Sequence, residues 1–115
     1  MIDLDRLPKE GPITLIATFT ARPGQAEQVA TLLAGLAENV RRESGNLAFD
    51  CYRRHDDEHA FVVYEIYQDR AAFAEHVGAE YGATFNAALN ELIVEPHSML
   101  TFLGPLAAPD IEAVQ

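Results

Sequence analysis

The chain has 115 residues, 49% of them apolar and 23% charged, enough for one domain with a core of its own. Eighteen acidic side chains against eight basic ones leave a net charge of −10, a sign that repels phosphate backbones and anionic headgroups and argues against nucleic-acid and membrane partners. No apolar run approaches the roughly 20 residues of a bilayer span, no cationic and apolar leader opens the chain, and the single cysteine, Cys51, excludes an intrachain disulfide or a thiolate cluster, so the cytoplasm is the expected compartment.

Residues 1–12 hold Pro8, Gly11, Pro12 and mixed charge without periodicity, and they read as an N-terminal arm ahead of a domain spanning 13–104. Ile13 to Ala21 then alternates, with Ile13, Leu15, Ala17, Phe19 and Ala21 on one side and Thr14, Ile16, Thr18 and Thr20 on the other, which predicts a first strand. Arg22-Pro23-Gly24 breaks it. From Gln25 onward, Ala26, Val29, Leu32, Leu33, Leu36, Ala37 and Val40 recur at helical spacing and predict an amphipathic helix with one buried stripe. Arg41 and Arg42 complement its last carbonyls, and Gly45 is expected to end it in the left-handed conformation.

Leu47 to Arg54 and Ala60 to Tyr67 are rich in aromatic and branched residues and predict two strands joined by the polar turn His55-Asp56-Asp57-Glu58-His59. Cys51 shares a strand face with Leu47 and Phe49 and reads as a buried, inert thiol. Asp69 stands where an N-cap belongs, so the run from Ala71 through His76 opens a second helix with His76 about two turns inside it. Gly78 and Gly82 interrupt the pattern before Phe85, Ala88, Leu89 and Leu92 resume it, predicting a kinked or two-piece helix. Ser98 to Leu103 is the fourth strand, and residues 105–115 are a tail, loose or laid on a partner.

The order is β-α-β-β-α-β, an α+β, ferredoxin-like arrangement whose helices cover one face of a four-stranded antiparallel sheet. The other face exposes Thr14, Ile16 and Thr18 with either Ala60, Val62, Tyr64 and Ile66 or Phe61, Val63, Glu65 and Tyr67. Either set is more apolar area than a monomer leaves bare, so two sheets are expected to meet in a homodimer.

Ala21-Arg22-Pro23-Gly24, Glu43-Ser44-Gly45-Asn46 and the run from Tyr64 to His76, with Glu65 on the strand, Asp69 at the cap and His76 on the helix, resemble the antibiotic biosynthesis monooxygenase family of the dimeric α+β barrel superfamily. The resemblance covers Ile13 to about Leu103. It implies a dimeric α+β barrel with a pocket in each subunit between helices and sheet. It also implies one of three activities: cofactor-independent oxygenation of phenols and hydroquinones, haem degradation, or action on small signalling carbonyl compounds. The haem-degrading branch carries an Asn on the first strand, a Trp in the second helix and a His further on. The corresponding positions here are Ala17, His76 and Asn86, and the chain has no Trp, a departure that argues against haem degradation.

The residues support the first activity on chemical grounds. A phenolate passes an electron to dioxygen far more readily than a phenol does, so the protein need only remove a proton and hold the anion in a dry pocket. Imidazole, with an unperturbed pKa of about 6.5, accepts a proton near neutral pH, and His76 is the candidate base. Phe73, one turn before it, and Tyr81, Phe85 and Asn86 after the glycines are candidate contacts for a small aromatic substrate, with dioxygen as co-substrate and no cofactor. Glu65 is a candidate substrate contact or second acid/base group, or else an ion-pair partner of Arg53 or Arg54, for which Asp50 competes. His55 and His59 have a spacing that converges on a metal only along a helix, and Glu95-Pro96-His97 brings no cluster, so no metal is expected. The alternatives are an isomerase or degrading enzyme for a carbonyl compound, or a non-catalytic dimer that binds an aromatic or haem ligand.

Overall fold

The computed structural model describes residues 2–106. The alternation of Ile13 to Thr20 becomes strand β1, whose odd-numbered residues are buried and whose even-numbered ones are half-buried. After it come α1 (Ala26–Arg41), β2 (Asn46–Arg53), β3 (Ala60–Tyr67), α2 (Arg70–Val77), α3 (Glu80–Asn90) and β4 (Met99–Leu103). The strands form one antiparallel sheet in the order β2-β3-β1-β4. This is the expected α+β, ferredoxin-like architecture, with the second helix divided in two.

Register decides which face each residue joins. Leu15, Ala17 and Phe19 lie opposite Glu65, Val63 and Phe61 of β3, and Leu15 and Ala17 lie opposite Phe102 and Leu100 of β4. With Phe49 of β2, opposite Glu65, these side chains form the face beneath the helices. Of the two sets left open by the pattern of β3, Phe61, Val63, Glu65 and Tyr67 are therefore the covered one. Val62, Tyr64 and Ile66 stand on the far face beside Ile16, half-buried in the single chain, with exposed Tyr52, Met99 and Leu103 around them.

The buried stripe of α1 is Ala26, Val29, Leu33, Ala37 and Val40. Gly24, at φ +82°, supplies the left-handed turn before the helix. Gly45 does not end it as expected. The last residue before the bend, Arg42, keeps right-handed helical geometry, and Gly45 has no positive φ. Gly45 is instead packed against Ala72 of α2, where there is no room for a side chain. Arg41 leaves the helix end and donates two hydrogen bonds to the Phe49 carbonyl, at 3.1 and 2.7 Å.

Asp69 caps α2 as its position implies, its Oδ1 accepting the Ala72 N–H at 2.8 Å. The break between α2 and α3 falls at Ala79, whose backbone is extended at φ −72°, ψ 136°, while Gly82 is absorbed inside α3. Cys51 corrects the expectation of a buried thiol: it points to the helix side, opposite Val63, but lies on an edge strand and is exposed. The arm packs on its own chain through buried Leu7 and through Ile2 and Leu4, with one turn of 3-10 helix at Leu4–Arg6. Of the tail, residues 107–115 lie outside the described residues. Among the described residues no helix is long and apolar enough to cross a membrane.

Candidate active site

The Asp69 cap sets where α2 starts, and the helix then carries Phe73 and His76 over the covered face of the sheet. Phe73 is only 1% exposed and meets Phe102 edge-on and Tyr67 at a tilt, with ring centroids 5.6 and 5.3 Å away. His76 lies over Tyr67, with centroids 4.7 Å apart, and also neighbours the Phe73 ring at 6.1 Å, so its ring is set against two aromatic side chains.

Below these rings is a cavity of about 390 Å³. Leu15, Ala17 and Val63 make its floor, Leu33 and Leu36 of α1 and Phe85 of α3 make its apolar walls, and Leu100 closes the β4 side. Few polar groups reach it: His76 and Glu65 from α2 and β3, Asn86 and Asn90 from α3, and His97 and Ser98 before β4. A mostly apolar hollow with a handful of convergent polar groups is the usual form of a small-molecule site.

Glu65 is a buried charged residue at 5% exposure. Tyr67 donates its O–H to Glu65 Oε1 at 2.7 Å, and the His76 Nε2 stands 3.9 Å from the same oxygen. Burial pushes the Glu65 carboxyl above the usual carboxylate range; the Tyr67 phenol and the neighbouring imidazole pull it back only in part. The Tyr67 phenol is raised as well, by its own burial and then by the negative charge of Glu65. The expected partnership of Glu65 with Arg53 or Arg54 is not formed. Arg53 bonds Glu27 at 2.9 Å and covers the Phe61 ring, and Arg54 pairs with Asp56 in the turn. Position along the strand gives the physical reason: Arg53 shares the covered face but stands opposite Phe61, two same-face residues from Glu65, where Glu27 of α1 takes its charge, and Arg54 lies past the end of β2.

The other edge of the His76 ring is occupied too. Nδ1 lies 3.0 Å from Glu43 Oε2, and the Tyr81 hydroxyl donates to that same oxygen. Glu43, at the end of α1, was not a candidate from spacing alone, since 33 residues separate it from His76. The usable signal was its position two residues ahead of Gly45, the glycine that lets α2 approach. His76, Phe73, Phe85, Asn86 and Glu65 are thus brought together around the cavity. Tyr81 is not: it is half-buried and turned toward Glu43, lining a separate cleft with Ser44 and Glu75. Among the described residues no three His, Cys, Asp or Glu side chains gather as a metal-ligating group.

Comparison with known proteins agrees with this architecture. Residues 12–88 match the family model described as antibiotic biosynthesis monooxygenase. A Mycobacterium tuberculosis protein provisionally named a monooxygenase is 32% identical over 95 residues, covering 83% of this chain and 92% of its own. A solved structure of that protein superposes with a TM-score of 0.77 at 30% identity, covering 86% of this chain and 99% of that one. A solved structure from Pseudomonas aeruginosa gives a TM-score of 0.76 at 34% identity, covering 88% and 100%. A match that spans β1, β2 and β3, α1, α2 and most of α3, in a chain whose own cavity lies between those helices and the sheet, shows that this protein belongs to the antibiotic biosynthesis monooxygenase family.

Proposed function

We propose that the protein is a cofactor-independent monooxygenase that oxidises a small quinol or polycyclic phenol with dioxygen, with His76 as general base. The observation that carries this reading is the His76 imidazole, largely shielded from solvent, at the wall of a mostly apolar cavity of about 390 Å³ that His97 also borders, a volume suited to a small aromatic molecule. His76 Nε2 takes the phenolic proton, and the phenolate passes electrons to dioxygen. A C–O bond forms at a ring carbon that bears hydrogen, and the peroxide takes its proton back from His76; the C–H bond at that carbon and the O–O bond then break together, one oxygen stays as the quinone carbonyl, and the hydroxyl leaves with that hydrogen as water. Phe73 and Phe85 flank the ring plane, Asn86 hydrogen-bonds a substrate oxygen, and Glu65 accepts or donates at the second oxygen according to its charge.

The functional unit is a homodimer in which the far faces of two sheets meet. Ile16, Val62, Tyr64 and Ile66 supply the centre of that contact, and Tyr52 and Met99, 58% and 43% exposed in the single chain, its edges.

The test is oxygen uptake on a series of hydroquinones and anthrones. Replacing His76 with Ala is expected to lower the rate by more than about tenfold while the fold persists, and an unchanged rate rejects His76 as the base. Turnover of a carbonyl compound without oxygen uptake would assign an isomerase in its place, and tight binding without turnover a binding protein.

A further inference from the structure

His76 separates two hollows. Its Nε2 faces Glu65, which lines the cavity described above, and its Nδ1 faces Glu43, which lines a cleft of about 280 Å³ together with Ser44, Glu75, Ala79 and Tyr81. The ring side chain is 17% exposed and that of Glu43 19%, so the bond between them is largely shielded from solvent.

A neutral imidazole carries one N–H, on either nitrogen, and a carboxylate can only accept. Glu43 Oε2 already accepts the Tyr81 O–H, and it faces Nδ1 at 3.0 Å. Two acceptors cannot share that contact, so Nδ1 must be the donor. Its proton then stays on the cleft side, and the lone pair belongs to Nε2, on the cavity side. We propose that Glu43, itself anchored by Tyr81, is a positioning residue that fixes His76 as the Nδ1–H tautomer and so aims the basic nitrogen at the substrate. The inference deepens the reading of His76 as general base and rests on it for its catalytic consequence.

The charge balance follows. When Nε2 takes the phenolic proton, the ring becomes a cation with Glu43 in hydrogen-bond range on one edge. Glu65 and Tyr67 of β3 face the other edge, Tyr81 of α3 and Glu75 of its own helix border the cleft, and His97 borders the cavity. Glu43 holds the cation without taking its proton, so the proton remains on Nε2, in place to be returned to the departing oxygen.

The tautomer can be read without any substrate. The full chain, labelled with ¹⁵N-histidine, holds four histidines, and loss of a signal pair in His76→Gln identifies the relevant one. In the wild-type protein above the titration of the ring, the ¹⁵N shifts and couplings are expected to place the proton on Nδ1. In Glu43→Leu the commoner Nε2–H form should predominate. In Tyr81→Phe, which leaves the carboxylate in place, Nδ1–H should persist as the major form. With a turned-over quinol, Glu43→Leu should lower kcat by about tenfold or more at little-changed KM, and Glu43→Asp should recover part of it. An Nε2–H ring in the wild-type protein overturns the proposal even if Glu43→Leu fails to fold, as does an Nδ1–H ring that survives Glu43→Leu. Loss of the base assignment would show differently: His76→Ala would keep its oxygen uptake whatever the tautomer.

Discussion

Gly45 lies so close to Ala72 that a Cβ added to the glycine would stand 2.3 Å from the Ala72 Cβ and 3.4 Å from its Cα. Neither atom is the free end of a flexible chain, so the conflict can be relieved only by moving α2 away from the loop that carries Glu43. Gly45→Ala is expected to destabilise the fold by about 1–3 kcal/mol, the usual cost of forcing an extra methyl into a packed site. Chemical denaturation of the single mutant and of Gly45→Ala with Ala72→Gly checks this, since the second change should restore most of the loss.

The Asp69 carboxylate satisfies an N–H at the start of the helix that bears His76. Asp69→Ala should cost about 1 kcal/mol in urea unfolding, and Asp69→Ser or Asp69→Asn much less. A loss as large for Ser as for Ala would mean that charge rather than capping is what matters there.

Burial raises the Glu65 carboxyl above its value in the unfolded chain. The native state therefore holds that proton more tightly, and the associated stability is complete below the unfolded value and is lost as pH rises through the raised native one. Glu65→Gln keeps an acceptor for the Tyr67 hydroxyl and removes the charge. Its Tm relative to wild type should rise as pH increases from the ordinary carboxylate range through the raised native value. A difference that shrinks with pH would contradict the burial argument.

Ala17 sits on the cavity floor, across from the helices and on a different element from His76 and Glu43. Ala17→Leu fills part of the space without touching the imidazole. The expected result is a raised KM for the larger substrates, by about tenfold, with the His76 ¹⁵N spectrum unchanged.

Ile16 stands at the centre of the far face, between Tyr64 of β3 and Thr101 of β4. Ile16→Lys should shift the proposed dimer to monomers in sedimentation, because an unpaired charge cannot be buried between two such faces without large cost. An unaltered mass would rule out that face as the contact between subunits.

Much of the frame was legible in the residues. The alternation of β1, the two aromatic strands, the stripe of α1 and the Asp69 cap each follow from local periodicity and hydrogen-bond chemistry, and they place His76, Phe73 and Phe85 on the covered side. What was not legible depends on parity and on distance along the chain. Both sets of alternate residues on β3 are mostly apolar, so only the register with β1 shows that Glu65 points under the helices. Cys51 was assigned the right face, but an edge strand leaves it exposed there. Gly45 looked like a helix terminator because glycines often are; its actual requirement is the closeness of Ala72, a residue from another element. Glu43 and Tyr81 meet His76 only because three separate segments converge, and no spacing within one segment announces that.

The interruption at Ala79 has an evolutionary consequence. It separates the segment bearing the imidazole from the one that brings Phe85, Asn86 and Asn90 to the cavity. Under the proposed function, substitutions at Asn86 and Asn90, which border the cavity without belonging to the buried core, would alter what descendants of one ancestor accept while leaving the helix that carries His76 in place.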